Sequence, residues 1–218
     1  MAMNVAIDGP AGAGKSTIAK AVAAKKGYVY VDTGAMYRAM ALYFLRAGIA
    51  SDDEKSISEK VDEIVVSIKY EDGAQHVILN GEDVTGLIRT EEVGNMASAT
   101  SVYSAVRTKL VALQQELAKT TDVIMDGRDI GTVVLPNADV KVFLTASVEC
   151  RAKRRFDELK AKGVEADFDQ IAKDIEERDY RDSHREISPL KQADDAVLVD
   201  SSDMTIDEVV AAIIDLCK

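Results

Sequence analysis

The chain has 218 residues, and 27 lysines and arginines against 38 aspartates and glutamates leave a formal charge of −11 at neutral pH. That balance disfavours a nucleic-acid partner, because binding through phosphates needs a broad basic surface that neutralises the backbone and releases counterions. With 47% hydrophobic and 30% charged residues and few prolines, the composition is that of a soluble globular protein, sized for one large domain with an insertion or for two small ones.

No apolar run approaches the roughly 20 residues of a membrane-spanning helix; the longest are Ala39 to Leu45 and Val209 to Ile214. The N-terminus lacks a charged segment followed by an apolar run and a cleavage site, so a cytoplasmic protein with no membrane partner is expected. Cys150 and Cys217 stand far apart in sequence and are expected to be inert thiols. With His76 and His184 as the two histidines, a histidine-cysteine metal cluster is not expected, and any metal should be hard and oxygen-bound.

In chain order, Met3 to Asp8 reads as a short strand that breaks at Gly9-Pro10. Ile18, Ala19, Val22 and Ala23 recur at helical spacing within Lys15 to Lys26, with Gly27 as the stop. A strand at Tyr28 to Val31 and a helix at Ala35 to Ala47 follow, the beginning of an α/β sheet. After a charged helix near Asp52 to Val61 the rhythm changes: Val65 to Tyr70, Gln75 to Leu79 and Glu82 to Thr85 predict an antiparallel meander, with turns at Glu71-Asp72-Gly73 and Asn80-Gly81. Glu91 to Lys119 is helical, in two pieces. Val123 to Met125 and Val140 to Leu144 have buried-strand character and resume the core sheet. Charged helices near Ser147 to Lys162 and Phe168 to Arg181, a last strand at Ala196 to Val199 and an amphipathic helix from Ile206 to Leu216 complete the chain.

Gly9, Pro10, Ala11, Gly12, Ala13, Gly14, Lys15, Ser16 and Thr17 satisfy G-x-x-x-x-G-K-[ST] between a strand and a helix, the context this phosphate-binding loop requires. The glycines let the backbone present N–H donors, and the helix N-terminus adds partial positive charge. Lys15 is placed for the β- and γ-phosphates of ATP, and the Ser16 hydroxyl for a Mg²⁺ that bridges them. A nucleotide loop serves either a phosphotransfer enzyme or a GTPase-type switch. A switch would carry the guanine-reading tetrapeptide Asn-Lys-x-Asp, which does not occur in this sequence.

Arg38, after Asp32-Thr33-Gly34-Ala35-Met36-Tyr37, and Arg128, in Asp126-Gly127-Arg128-Asp129, stand at the carboxyl ends of strands, where ligands of open α/β sheets gather. Their planar forks suit an acceptor that is itself a phosphate. Asp126 is either a metal-side carboxylate or an ion-pair partner of Arg128.

These residues make the chain recognisable. GPAGAGKST at Gly9, DTGAMYR at Asp32, GEDVTGLIRTEEV at Gly81, DGRDIGTVV at Asp126 and ERDYRDSHREISPL at Glu177 resemble bacterial cytidylate kinases, a nucleoside monophosphate kinase branch of the P-loop proteins. The resemblance spans nearly the whole length. It implies an α/β P-loop fold with a parallel sheet flanked by helices, a monophosphate-binding insertion with a small antiparallel sheet, and a helical lid. It also implies transfer of the γ-phosphate of ATP to CMP or dCMP in pyrimidine nucleotide metabolism, with Mg²⁺, by a monomer. The core would be about residues 1–32, 105–150 and 186–218, the monophosphate region about 33–104 and the lid about 151–185.

Carried over by resemblance, the acceptor-site residues are Thr33, Arg38, Ser98, Arg107, Arg128, Asp129, Arg178, Asp182 and Arg185. Arg38 and Arg128 look like the phosphate clamp, and Ser98, Arg107 and Asp129 like the base-reading set. A carboxylate accepts from the cytosine N4 amine while Arg and Ser donate to N3 and O2. Asp182 with Arg178 resembles a ribose-holding pair. Arg154 and Arg178 would swing over the transferring phosphoryl group, joining Lys15 and Arg128 as the catalytic cations. Thr33 stands where the family often has Ser, which bears on the preference among CMP, dCMP and UMP.

Overall fold

The computed structural model describes residues 2–71 and 74–217. Strand β1 (Asn4–Asp8) runs through the phosphate loop into α1 (Lys15–Lys26), and β2 (Val29–Asp32) follows. Next come α2 (Thr33–Arg46), α3 (Glu54–Lys60), β3 (Val66–Glu71), β4 (Ala74–Leu79), β5 (Glu82–Asp83), α4 (Glu91–Thr100) and α5 (Ser104–Ala118). The chain closes with β6 (Val123–Gly127), β7 (Val140–Thr145), α6 (Val148–Ala161), α7 (Phe168–His184), β8 (Val197–Asp200) and α8 (Ile206–Leu216). The chain forms two compact units, one made of the residues up to Tyr30 together with those from Thr120 onward, the other running from Val31 to Lys119.

In the first unit the five-stranded sheet has the order β2-β6-β1-β7-β8. β1 pairs in parallel with both β6 and β7, and β7 with β8. Val5, Ile7, Ile124, Val142 and Leu144 are buried from the sheet, and Ile18, Val22, Val209 and Ile213 pack on them from α1 and α8. Successive residues of β1 and β6 are buried on both faces, the pattern of a doubly covered parallel sheet, whose strands read as continuous apolar runs. Cys217 lies within this core and Cys150 is half-buried; both are free thiols. Because β1 and β6 run parallel with Asp8 opposite Gly127, the phosphate loop and the Arg128-Asp129 segment leave the sheet side by side at its carboxyl edge. There Ile130–Val134 forms a π-helical turn, which no local pattern in the sequence announces.

The second unit holds the three-stranded sheet β3-β4-β5, as the alternating segments predict. Asn80 and Gly81 have φ of 48° and 91° and join paired residues Leu79 and Glu82, which makes the two-residue hairpin turn for which Asn-Gly is suited. The turn expected at Glu71-Asp72-Gly73 lies in part outside the described residues. Met36, Met40 and Phe44 bury one face of α2, and α4 and α5 are separate helices broken at Ser101 to Tyr103. Asp32 caps α2 through a hydrogen bond accepted from the Ala35 amide, so the residues after it start a helix at once. Among the described residues no helix is long and apolar enough to cross a membrane.

Candidate functional site: a phosphate loop and its arginines

The loop's geometry follows from its sequence. At Gly9, with φ of 148°, a Cβ would sit 1.9 Å from the Leu144 carbonyl oxygen, so only glycine lets the loop leave β1 against β7. Further on, α1 begins at Gly14 without a side-chain cap, which leaves its first amides to an external anion. The Lys15 ammonium donates to the Pro10 carbonyl at 2.7 Å. Burial holds it well below the usual lysine range, the Arg128 guanidinium pushes the same way and Arg178 adds to it, against the pull of Asp126 and Asp8. Both arginines thus raise the cost of charge on Lys15, which a bound polyanion would offset.

The carboxylates of the first unit are drawn into this arrangement. Ser16 Oγ donates to Asp126 Oδ2 at 2.8 Å, and Tyr30 Oη to Asp126 Oδ1 at 2.9 Å. Arg128 Nε donates to Asp182 Oδ2 at 2.8 Å. The Asp126 carboxylate thus faces the Ser16 hydroxyl at the start of α1. Burial works to raise the Asp182 carboxyl, but the guanidiniums of Arg128, Arg178 and Arg185 together outweigh it and hold the group below its ordinary value. Arg185 Nη2 lies 3.8 Å from Asp129 Oδ1, and its Nε donates to the Ser188 carbonyl. Within the first unit, Ser16 thus meets Asp126, Arg128 meets Asp182, and Arg185 lies beside Asp129. Arg154 reaches the loop as well, its Nη1 lying 3.9 Å from where a Cβ on Gly14 would be, while its guanidinium donates to the Ser201 carbonyl at 2.8 Å and the Ser201 hydroxyl at 3.4 Å.

In the second unit, Thr33 is buried at the start of α2. A Cβ placed on Gly34 would meet Asp32 Oδ1 at 3.3 Å and Arg38 Nη1 at 3.4 Å, so Asp32 and Arg38 flank that backbone closely. The Arg107 guanidinium lies over the Tyr37 ring at 5.8 Å and donates to the Ser101 carbonyl. Ser98 is half-buried on α4, with its carbonyl accepting from Ser101 Oγ.

Two side chains beside the predicted site residues escape sequence reasoning. Arg89 pairs with Asp32 through its guanidinium; the signal is its place inside the GLIRT motif. Asp8 accepts from the Ile130 amide at 2.8 Å and the Gly131 amide at 2.7 Å, clamping the π-helical turn to the end of β1. Its carboxyl is raised to about 6 by burial, an effect that the two amide bonds reduce, with smaller contributions from Asp129 and Lys15.

A parallel sheet covered by helices and carrying G-x-x-x-x-G-K-S beyond its first strand defines a P-loop nucleotide-binding fold, which a gluconokinase from Sinorhizobium meliloti shares. That structure is 15% identical, with a TM-score of 0.50, covering 99% of this chain and 91% of its own. The chain belongs to the cytidylate kinase family, whose model matches residues 5–218. It is similar to the cytidylate kinase of Lactobacillus johnsonii, 55% identical over 216 residues, which are 99% of this chain and 94% of that one. The cytidylate kinase of Caldicellulosiruptor saccharolyticus is 53% identical over 214 residues, 98% of this chain and 95% of the relative.

Proposed function

We propose that the chain transfers the γ-phosphate of ATP to CMP or dCMP, giving ADP and CDP or dCDP, with the residues named above in specific roles. The observation that carries the reading is the phosphate loop itself, with Lys15 buried in it and donating to the Pro10 carbonyl, beside the Arg128 segment at the end of the paired parallel strand β6, in a chain of this family. Residues 9–17 hold the ATP phosphates, Lys15 the β- and γ-groups. Arg128 and Arg178 neutralise charge on the transferring group, and Arg154 joins them after leaving Ser201. Because an acceptor phosphate oxygen is already anionic at neutral pH, no general base is required. Catalysis is then positioning plus electrostatic stabilisation.

The residues assigned to acceptor binding by the family resemblance are Thr33, Arg38, Ser98, Arg107, Arg128, Asp129, Arg178, Asp182 and Arg185. Arg38 and Arg128 take the monophosphate. Asp129 accepts from the cytosine amine, with Ser98 and Arg107 on the remaining base edge, while Asp182 and Arg178 hold the ribose. Uracil sets an oxygen against Asp129, a buried polar mismatch that can discriminate by as much as about 10⁴-fold.

The Ser16 hydroxyl and Asp126 carboxylate offer hard oxygen donors 2.8 Å apart, a set that suits Mg²⁺. They would hold the ion directly or through water, and bound there it would neutralise β- and γ-phosphate oxygens. The reading also has the enzyme acting as a monomer in the cytoplasm, which gel filtration and cell fractionation test. The activity itself is tested by coupled measurement of ADP formation across CMP, dCMP, UMP and AMP with a no-acceptor control. Rates highest with CMP and dCMP support it; ADP formation independent of acceptor contradicts it.

A further inference from the structure

The most deeply enclosed guanidinium of the first unit outside the roles above is that of Arg151, at the start of α6, with a side chain 4% exposed. Its three nitrogens reach three separate elements. Nε donates to the Ala146 carbonyl at 2.9 Å, holding the end of β7. Nη1 donates to the Ala11 carbonyl in the phosphate loop at 3.0 Å, across 140 residues. Nη2 pairs with Asp179 Oδ2 on α7 at 2.6 Å. The stem of the side chain also lies beneath the loop, 3.5 to 3.8 Å from where a Cβ on Gly12 would be.

The loop contact has a directional consequence. The Pro10 carbonyl accepts from Lys15 and the Ala11 carbonyl from Arg151, and both peptides are trans. In a trans peptide the N–H points opposite to the C=O. With their oxygens turned to these cations, the Ala11 and Gly12 amides face the other way, as donors for a phosphate. The α7 contact has a second one. Asp179 directly follows Arg178, whose charge is felt at Lys15, and lies one helical turn before Asp182, the partner of Arg128.

We propose that Arg151 is a positioning residue that locks the phosphate loop and helix α7 in one register through the Ala11 carbonyl and Asp179, so that Arg178 is aimed at the loop's ligand. The rigid fork is what makes this possible: lysine's single ammonium cannot serve three acceptors spread over three elements. A further feature separates this role from plain stabilisation. Asp179 Oδ1 is buried with no hydrogen-bond partner among the described residues, and an unmet buried acceptor costs stability. The carboxylate is held for its pairing with Arg151 and not for complete satisfaction on α7.

The proposal rests on the phosphotransfer reading, and a mutant cycle keeps the two apart. The wild-type protein, Asp179→Asn, Arg178→Ala and the double variant are assayed for kcat with ATP and CMP, with melting followed in each. Asp179→Asn is expected to lower kcat by about tenfold or more, the scale of a misplaced catalytic group. In the Arg178→Ala background the same substitution is expected to cost less than about twofold, because there is no guanidinium left to aim. Equal losses in both backgrounds, or no loss from Asp179→Asn, overturn the proposal while the kinase reading stands. A neutral Arg178→Ala overturns it together with the role given to Arg178, and a wild-type protein inactive with CMP overturns the kinase reading. If Asp179→Asn does not fold, Arg151→Lys is read in the same cycle with the same expected outcomes.

Discussion

Ser16 Oγ donates a hydrogen bond to Asp126 Oδ2 at 2.8 Å, although 110 residues separate them along the chain. The pairing sets a hydroxyl at the start of α1 against a carboxylate at the end of β6, and parallel β1 and β6 bring those two ends together. Asp126→Asn keeps the volume and the Tyr30 contact but halves the carboxylate's accepting capacity and removes its charge. The Mg²⁺ concentration giving half-maximal rate should rise by about tenfold or more, the usual scale for losing a group that orients or supports a metal. Titration of MgCl₂ at saturating ATP and CMP checks this, and an unchanged midpoint would assign Asp126 to the fold alone.

Lys15 is buried in the phosphate loop, with 6% of its surface exposed. Lys15→Ala removes the charge that meets the β- and γ-phosphates and should lower kcat by roughly 10³-fold or more, the scale at which a missing cation hurts phosphoryl transfer. Steady-state rates, with circular dichroism to verify folding, measure it. Near wild-type turnover would contradict the role.

Asp129 is buried beside Arg185 and is assigned to the acceptor base. Asp129→Ala should therefore weaken CMP binding by about tenfold or more, on the scale of one to three kcal/mol for a lost charged hydrogen bond, while ATP binding changes little. Separate calorimetric titrations of the two nucleotides decide it; equal losses would mean that the residue supports the fold or the metal.

Asp8 makes a prediction about stability. Its carboxyl is raised from 3.8 to about 6, mainly by burial. Between those values the folded state keeps a proton that the unfolded chain has released. The contribution of Asp8 to stability is thus complete below about pH 4 and is lost as pH rises through about 6, a change of about 3 kcal/mol. Urea unfolding of wild type and Asp8→Asn from pH 4 to 7 isolates it: the wild type should lose stability relative to the variant over that span. A constant difference between the two would show that Asp8 titrates normally.

Much of this architecture is legible in the sequence because its signals are local. Continuous apolar runs mark β6 and β7, alternation marks the β3-β4-β5 meander, a helical apolar period marks α1, α2 and α8, Asn80-Gly81 specifies its own turn, and the loop from Gly9 to Thr17 carries its spacing in nine residues. What cannot be read is contact between side chains distant in sequence. The Asp8 clamp spans 122 and 123 residues to the amides it holds, so the π-helical turn at Ile130 has its cause outside its own sequence. The same holds for Asp182, whose bond to Arg128 spans 54 residues, and for Arg154, whose tether at Ser201 lies 47 residues away. A charged helix such as α6 reads as a solvated face with one cluster of cations. Only packing reveals that Arg151 points inward while Lys153 and Arg155 face water.

The central claim is a direct transfer from the triphosphate on the loop to a cytidine monophosphate. Incubation of the protein with γ-labelled ATP and an equimolar mixture of CMP, UMP and AMP, followed by separation of the nucleotides, tests it in a single measurement. The account predicts label in CDP well above that in UDP or ADP, with little free labelled phosphate. Label released mainly as inorganic phosphate, or carried chiefly by UDP or ADP, would contradict it.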